Sequence, residues 1–174
     1  TVSNLSSTRA LKDVTDKYNC KYEASAVGEV NVVEKMKQIN AVIRGEGNGG
    51  IILPELHYGR DALVGIALAL THLTKSGKTM SELRSGFPQY YMAKQKIELT
   101  PGLDVDGILA TITGRYSDEE FSTIDGIKIT WSDRWVHLRK SNTEPIIRIY
   151  TEAPSTEEAT RLGERFMKEI EELA

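Results

Sequence analysis

Residues 41–55, AVIRGEGNGGIILPE, decide how the first half of this chain is built. The stretch contains Gly45-x-Gly47-x-x-Gly50, the bare spacing of a nucleotide-binding loop. A dinucleotide fingerprint needs a helix directly after its last glycine, because the helix N-terminus receives the pyrophosphate. Here Ile51, Ile52 and Leu53 run into Pro54, which reads as extended chain. A Walker loop ends in Gly-Lys-Ser/Thr, and this loop ends in Gly-Gly-Ile-Ile. A kinase-type loop does join two strands, but no kinase lysine, HRD or DFG element follows. The segment is therefore strand, glycine loop, strand, and both nucleotide readings are poor. Two polar residues, Glu46 and Asn48, alternate with the glycines. Glycines let a ligand approach the backbone closely. Glu46 accepts hydrogen bonds, and Asn48 both donates and accepts, a combination that neighbouring sugar hydroxyls require. The competing reading is a tight glycine turn with one exposed acid.

Outward from this loop, strands and helices alternate. TVSNL reads as a short strand, and Thr8–Tyr18 as a helix with Ser7 as its cap. KYEASAV is extended. In Val30–Ile39, Val32, Val33, Met36 and Ile39 share one helical face. Asp61 caps a strong helix, ALVGIALALTHLTKSG, whose apolar residues go nearly all round, so the pattern predicts a well-covered helix stopped by Gly77. TMSELRSG is a further short helix. The second half differs. QYYMAKQKIEL is extended and links the halves, and TPG (100–102) punctuates. A helix runs from Asp104 to about Arg115. The strands IKITW and WVHLRK follow, joined by an SDR turn; PIIRIYTEA is a third strand, and Ser155 or Thr156 caps a last helix to Leu173. The expected architecture is an α/β domain with a mixed sheet over residues 1–97. A small α+β domain, an antiparallel sheet packed with helices, is expected over 98–174.

Composition narrows the function. The chain has 174 residues, 40% of them apolar and 27% charged, with a net charge of −3. No Lys/Arg run is long enough for a nucleic-acid arm, so neither nucleic acid nor an anionic membrane is expected as a partner. Cys20 is the only cysteine, which excludes an internal disulfide and fits a reducing, cytoplasmic compartment. The apolar run from Ala62 to Leu73 is too short for a membrane span and is broken by His72. The start TVSNLSSTRA has neither initiator Met nor signal-peptide pattern, so Thr1 is expected to be a processed end or a cut within a longer chain.

The second polar constellation is LRKSNTEPIIR, Leu138–Arg148. It puts Arg139, Lys140, Ser141, Asn142, Thr143 and Arg148 in one turn and its flanks. Arginine offers a planar fork of donors that matches phosphate. Ser141, Asn142 and Thr143 add short donors, and a turn can aim backbone N–H groups at the same anion. The competing reading is an ordinary Ser-Asn-Thr hairpin turn with surface charges. DVDG (104–107) resembles a metal loop for four residues and then becomes helix, so capping by Asp104 is the stronger reading. His57, His72 and His137 have no ligand spacing.

GEGNGG in an α/β half and RKSNTEPIIRIYTEA near the end of an α+β half together resemble the C-terminal part of the α-D-phosphohexomutase family. SSTRAL, VGEVNVVEKM and GRDALVGIAL fit the family's third domain, and the remainder fits its fourth. The likeness is to phosphoglucosamine mutases and phosphomanno/phosphoglucomutases, and the TEPIIR ending leans to the former. The resemblance implies interconversion of hexose 1-phosphates and hexose 6-phosphates through a bisphosphate intermediate. It implies that Glu46 and Asn48 hold sugar hydroxyls, although Asn48 stands where serine is usual and Gly50 where histidine is usual. It implies that Arg139, Ser141, Asn142, Thr143 and Arg148 hold the phosphate that is not being transferred. Lys140 takes the place of a small residue or proline. The family's phosphoserine and magnesium loops have no counterpart in this sequence. The resemblance thus implies a C-terminal piece with no catalytic or metal-ligating residue of its own, partnered by N-terminal domains of the same chain that supply the magnesium site. A non-catalytic phosphate-ligand module is the alternative.

Overall fold

A computed structural model describes residues 1–46, 49–99, 103–141 and 144–174. The chain divides into two compact units, Thr1–Gln89 and Tyr90–Ala174.

In the first unit the described residues form a four-stranded mixed sheet in the order β2-β1-β3-β4. Its strands are β1 (Val2–Asn4), β2 (Glu23–Ser25), β3 (Arg44–Gly45) and β4 (Ile51–Ile52). β1 runs parallel to β2 and β3, and β3 and β4 are antiparallel. Helix α2 (Glu29–Ile39) presents the expected face: Val32 and Met36 are fully buried against Val2, Ala41 and Ile52. Helix α1 (Ala10–Lys17) is shorter than its pattern predicts, and Arg9 rather than Ser7 stands at its N-cap without a side-chain bond. The Ser7 hydroxyl instead donates to Asn4 Oδ1 at 3.1 Å, so its bond runs back three residues rather than forward into the helix. Asp61 caps α3 (Ala62–Ser76) as expected, accepting from the Val64 N–H at 3.0 Å. The Val64 N–H, and after it the bond to His57, holds the Asp61 carboxyl below its ordinary range. The cover predicted for α3 is not found: the helix contains no buried residue. It crosses β4 where Gly65 sits over Ile51, so close that an added Cβ would lie 3.0 Å from the Ile51 side chain. Thr79 and Glu82 form a reciprocal capping box on α4 (Met80–Ser85).

The second unit is a five-stranded antiparallel sheet in the order β5-β9-β8-β7-β6. The strands are β5 (Tyr91–Glu98), β6 (Glu120–Ser122), β7 (Ile127–Thr130), β8 (Trp135–Lys140) and β9 (Ile146–Ala153). Helices α5 (Val105–Arg115) and α6 (Thr156–Glu171) cover one face. Because side chains alternate along a strand, Ile127, Ile129, Val136, Leu138, Ile147 and Ile149 all point to that face. They pack with Ile108 and Ile112 of α5 and with Phe166 and Ile170 of α6. Asp104 accepts from the Gly107 N–H at 2.9 Å and Ser155 from the Glu158 N–H at 3.1 Å, so both expected caps form. The sequence places the boundary at 97/98, whereas the units divide at Gln89/Tyr90. The reason is β5: read as a link, it pairs with β9 residue for residue, from Tyr91 with Ala153 to Glu98 with Ile146. No helix among the described residues is long and apolar enough to cross a membrane.

Candidate functional site

The glycine loop of the first unit closes a short hairpin between β3 and β4. The Glu46 N–H donates to the Gly50 carbonyl at 3.2 Å, and the Gly49 N–H to the Glu46 carbonyl at 3.0 Å. Gly49 has φ +82°, in the left-handed region that disfavours any residue with a Cβ. No helix follows Gly50, so the loop lacks the pyrophosphate seat of a dinucleotide fold. Arg44 and Glu46 are two apart on one strand path and share a face of the sheet. Asn4 lies on the same face of β1, because Val2 pairs with Arg44. All three meet: Glu46 Oε2 pairs with Arg44 Nη2, and Glu46 Oε1 accepts from Asn4 Nδ2. The amide orientation of Asn4 is fixed from behind. Its Oδ1 accepts from the Ser6 N–H at 2.9 Å and from the Ser7 hydroxyl. The side chains of Arg44 and Glu46 are only 2% and 5% exposed. Glu46 is thus a fixed acid, not the exposed one of the glycine-turn alternative. Two guanidinium nitrogens of Arg44, Nε and Nη1, are buried without a partner among the described residues. Beyond the loop, Gly49, Gly50, Glu29 and Arg60 line an open depression of about 520 Å³, with Arg60 Nε 2.6 Å from Glu29. Asn48 lies outside the described residues.

The second unit builds its cationic site by strand register. Arg139 of β8 stands directly opposite Arg148 of β9. Lys96 of β5 stands opposite Arg148 on its other side. Three cations therefore cross one sheet face in a row. Like charges directly opposite destabilise a sheet, so such a row needs anions beside it. The described residues supply a carboxylate to each: Asp125 is 3.6 Å from Arg139, Glu98 is 3.7 Å from Lys96, and Glu144 is paired with Arg148. Lys140 points to Asp106 of α5 at 3.9 Å. Ser141 is buried, and its N–H donates to the Ile146 carbonyl at 2.9 Å, closing the turn. Asn142 and Thr143, the other expected phosphate ligands, lie outside the described residues.

Beneath Arg139 the turn before β7 is locked to β8. His137 is 1% exposed, and its Nε2 donates to the Asp125 carbonyl at 2.6 Å. Burial, outweighing that hydrogen bond, pushes the imidazole down to about 4, so it is neutral near pH 7. Gly126, at φ +70°, lets the turn lie flat on β8; a Cβ there would stand 2.1 Å from the Leu138 carbonyl oxygen. Trp135 Nε1 donates to Glu152 at 2.8 Å and Lys128 lies 4.1 Å above the Trp135 ring, which stiffens the same face. Sequence reasoning missed Lys96, Asp125, Arg44 and Asn4. Each reaches its site through pairing or packing with distant residues; the signal present was alternation, which places Lys96 on one face of its strand without saying what lies opposite.

Among the described residues no group of three or more His, Cys, Asp or Glu side chains could hold a metal ion. Asp104 is engaged as a helix cap, and Asp106 faces Lys140. This arrangement does not fit a magnesium site. The described geometry is a buried, ion-paired carboxylate in one unit and a row of facing cations with their carboxylates in the other.

Comparisons with known proteins agree with this division. Residues 1–91 match the family model "phosphoglucomutase/phosphomannomutase, alpha/beta/alpha domain III", and residues 92–169 match "phosphoglucomutase/phosphomannomutase, C-terminal domain". The phosphoglucosamine/phosphogalactosamine mutase of Sulfurisphaera tokodaii is 37% identical over 172 residues, which is 98% of this chain and 38% of that protein. The phosphoglucomutase/phosphomannomutase of Thermococcus kodakarensis is 35% identical over 173 residues, again 98% of this chain and 38% of the relative. The chain thus spans well under half the length of these curated relatives. A solved phosphoglucomutase/phosphomannomutase family protein of Burkholderia thailandensis superposes with a TM-score of 0.77 at 21% identity, covering 99% of this chain and 37% of its own. Aspergillus fumigatus N-acetylphosphoglucosamine mutase, solved in complex with GlcNAc-6P and magnesium, superposes with a TM-score of 0.66 at 15% identity, covering 97% of this chain and 38% of its own. These last two likenesses establish the fold. With its first unit matching the α/β/α third domain and its second the C-terminal domain, the chain belongs to the phosphoglucomutase/phosphomannomutase family.

Proposed function

We propose that this chain is the sugar- and phosphate-binding part of a phosphohexomutase that interconverts hexose 1-phosphate and hexose 6-phosphate, with glucosamine phosphate as the substrate pair. The observation that carries the reading is the cross-strand pair Arg139 and Arg148 beside the buried Ser141 turn. Two guanidiniums facing each other at a turn form a seat for a dianion, which takes over from the Asp125 and Glu144 carboxylates as their counter-charge and matches their planar donors. In this reading the turn clamps whichever phosphate is distal to the reacting end. Glu46, held in one orientation by Arg44 and Asn4, accepts from sugar hydroxyls common to both isomers, and Asn48 serves the same hydroxyls. Asn142 and Thr143 add donors to the phosphate. The role is positioning: binding energy at remote groups orients the reacting end. Phosphoryl transfer, the phosphoserine and its magnesium belong to N-terminal domains of the longer enzyme, and this chain alone binds weakly and turns over nothing. The choice of glucosamine is supported by the Sulfurisphaera tokodaii relative, which is named a phosphoglucosamine/phosphogalactosamine mutase. Phosphomannomutase/phosphoglucomutase activity is the second reading, favoured by the Thermococcus kodakarensis relative.

The test is a panel of hexose phosphates on the whole-length enzyme, wild type and Arg139→Ala. Glucosamine phosphates should be preferred. The substitution should lower kcat/KM for both isomers by a similar factor, about tenfold to a hundredfold if one charge-assisted bond of about 1.5–3 kcal/mol is lost. A defect with only one isomer would contradict the shared clamp, and inactivity toward every hexose phosphate would refute the reading.

A further inference from the structure

The cation row of the second unit is longer than the two arginines of the clamp. Lys96 stands opposite Arg148 as Arg148 stands opposite Arg139, so three cations lie on three adjacent strands of one sheet face. Neighbouring strands are about 4.8 Å apart, which leaves Lys96 and Arg139 about 10 Å apart along the backbone with Arg148 between them. Long basic side chains reach across that spacing. The register is fixed at the turn as well as along the strand. Beyond the last β5 pair, the Leu99 N–H donates to the Pro145 carbonyl at 2.8 Å, which ties β5 to the same turn that carries Ser141. Exposure rises along the row: the side chains of Arg139, Arg148 and Lys96 are 20, 31 and 59% exposed. Glu98, 3.7 Å from Lys96, is 83% exposed, so this ion pair is the most solvated of the three and contributes little. Lys96 is thus the cation that its counter-charge holds least. Lys94, two residues earlier on the same face, is engaged elsewhere: it stands opposite Tyr150, and its ammonium lies 5.3 Å from that ring centroid. A lysine on an edge strand deters wrong pairing. That accounts for a lysine on β5 but not for its register with two arginines.

We propose that Lys96 is a third phosphate-binding residue of the seat formed by Arg139 and Arg148, donating from the open end of the row; this rests on the reading of those arginines as the clamp for the distal phosphate. A phosphate monoester has three terminal oxygens, and two guanidiniums on one side of it leave acceptor capacity unused. In that reading the seat takes the 6-phosphate of one isomer and the 1-phosphate of the other, and the two arrive from differently placed sugars. The half-buried guanidinium of Arg139, paired with Asp125, does not follow such a shift. A solvated ammonium on a four-carbon stem does, because it is a point charge with rotatable donors. The contact is made to a phosphate that is not reacting, so it exists equally in the ground state and in the transition state. Its contribution therefore falls on KM and leaves kcat alone.

The test compares Lys96→Gln, Lys96→Arg and Lys94→Gln with the wild type in the whole-length enzyme, measuring kcat and KM for both isomers of the hexose phosphate that it prefers. Lys96→Gln should raise KM for both isomers by about threefold to tenfold, with kcat within about twofold of wild type. Lys96→Arg keeps the charge and the reach, so it should recover most of that loss. Lys94→Gln removes the same charge from the same strand face outside the row and should match the wild type. An unchanged KM in Lys96→Gln would overturn the proposal. So would an equal loss in Lys94→Gln, which makes the effect one of general charge, or a fall in kcat at constant KM, which makes it structural. Failure of Lys96→Arg to recover binding would overturn it too. The two readings fail separately: a wild type inactive toward every hexose phosphate sinks the clamp itself, whereas an active wild type with an indifferent Lys96 leaves the clamp standing and removes only its third member.

Discussion

Replacing Gly126 with alanine should cripple the second unit, and the cost can be built from the structure. The residue sits at φ +70°, where an L side chain loses about 1–2 kcal/mol relative to glycine. The new Cβ would lie 2.1 Å from the Leu138 carbonyl oxygen and 3.0 Å from Arg139 Cα. Both neighbours are main chain, so no rotamer change relieves the clash; forced overpacking costs about 1–3 kcal/mol. As the turn lifts, the His137 bond to the Asp125 carbonyl goes with it, for about another 1 kcal/mol. The losses are about 3–6 kcal/mol together, and in a domain of this size each 1 kcal/mol moves the midpoint by about 4–8 °C, so Tm should fall by roughly 12 °C or more. Both tryptophans, Trp131 and Trp135, lie in this unit, so their fluorescence during heating reports it alone. A midpoint within about 3 °C of wild type would show that the turn yields freely and that it does not hold Arg139 in place.

Other outcomes follow from the same geometry. His137 titrates near 4 when folded against 6.5 in the open chain, so below pH 6.5 the unfolded state binds the extra proton first. That stability, about 3 kcal/mol, is present above pH 6.5 and is lost as the pH falls toward 4; an imidazole NMR titration with a midpoint near 6.5 would refute it. Arg44→Ala strips the buried Glu46 carboxylate of its cation and should destabilise the first unit by about 3–5 kcal/mol in chemical denaturation, while Trp fluorescence of the second unit is unmoved. A loss under about 1 kcal/mol would mean that the pair is not formed in solution. Ser155→Ala removes the cap of α6 and should cost about 1 kcal/mol, detected as a matching drop in the urea midpoint at unchanged slope.

What the sequence showed well was local. Pro54 after the glycine loop forbade a helix there, and the structure has β4 instead. Asp61, Asp104 and Ser155 were legible as caps because a cap needs only its own helix. What escaped was decided by partners far along the chain. β5 read as a connection because nothing within it names β9, some fifty residues on, as its neighbour. β6 is short and mostly polar, and only its pairing with β7 makes it a strand. In the candidate site Arg139 and Arg148 were visible by type, while their facing register and the carboxylates beside them are products of the folded sheet. Glu46 was visible as an acid among glycines; that it is bound by Arg44 and Asn4 depends on β1 and β3 being neighbours.

The pairing of β5 with β9 has a consequence for synthesis. The first and last strands of the second unit meet at Tyr91 and Ala153, so this sheet cannot close until residues up to Ala153 have left the ribosome. The first unit draws its sheet and core from residues up to Ile52 and can condense much earlier. For that interval β5 is an unpaired strand on a nascent chain, and its alternate lysines, Lys94 and Lys96, are the kind of charges that keep such an edge from recruiting the wrong neighbour.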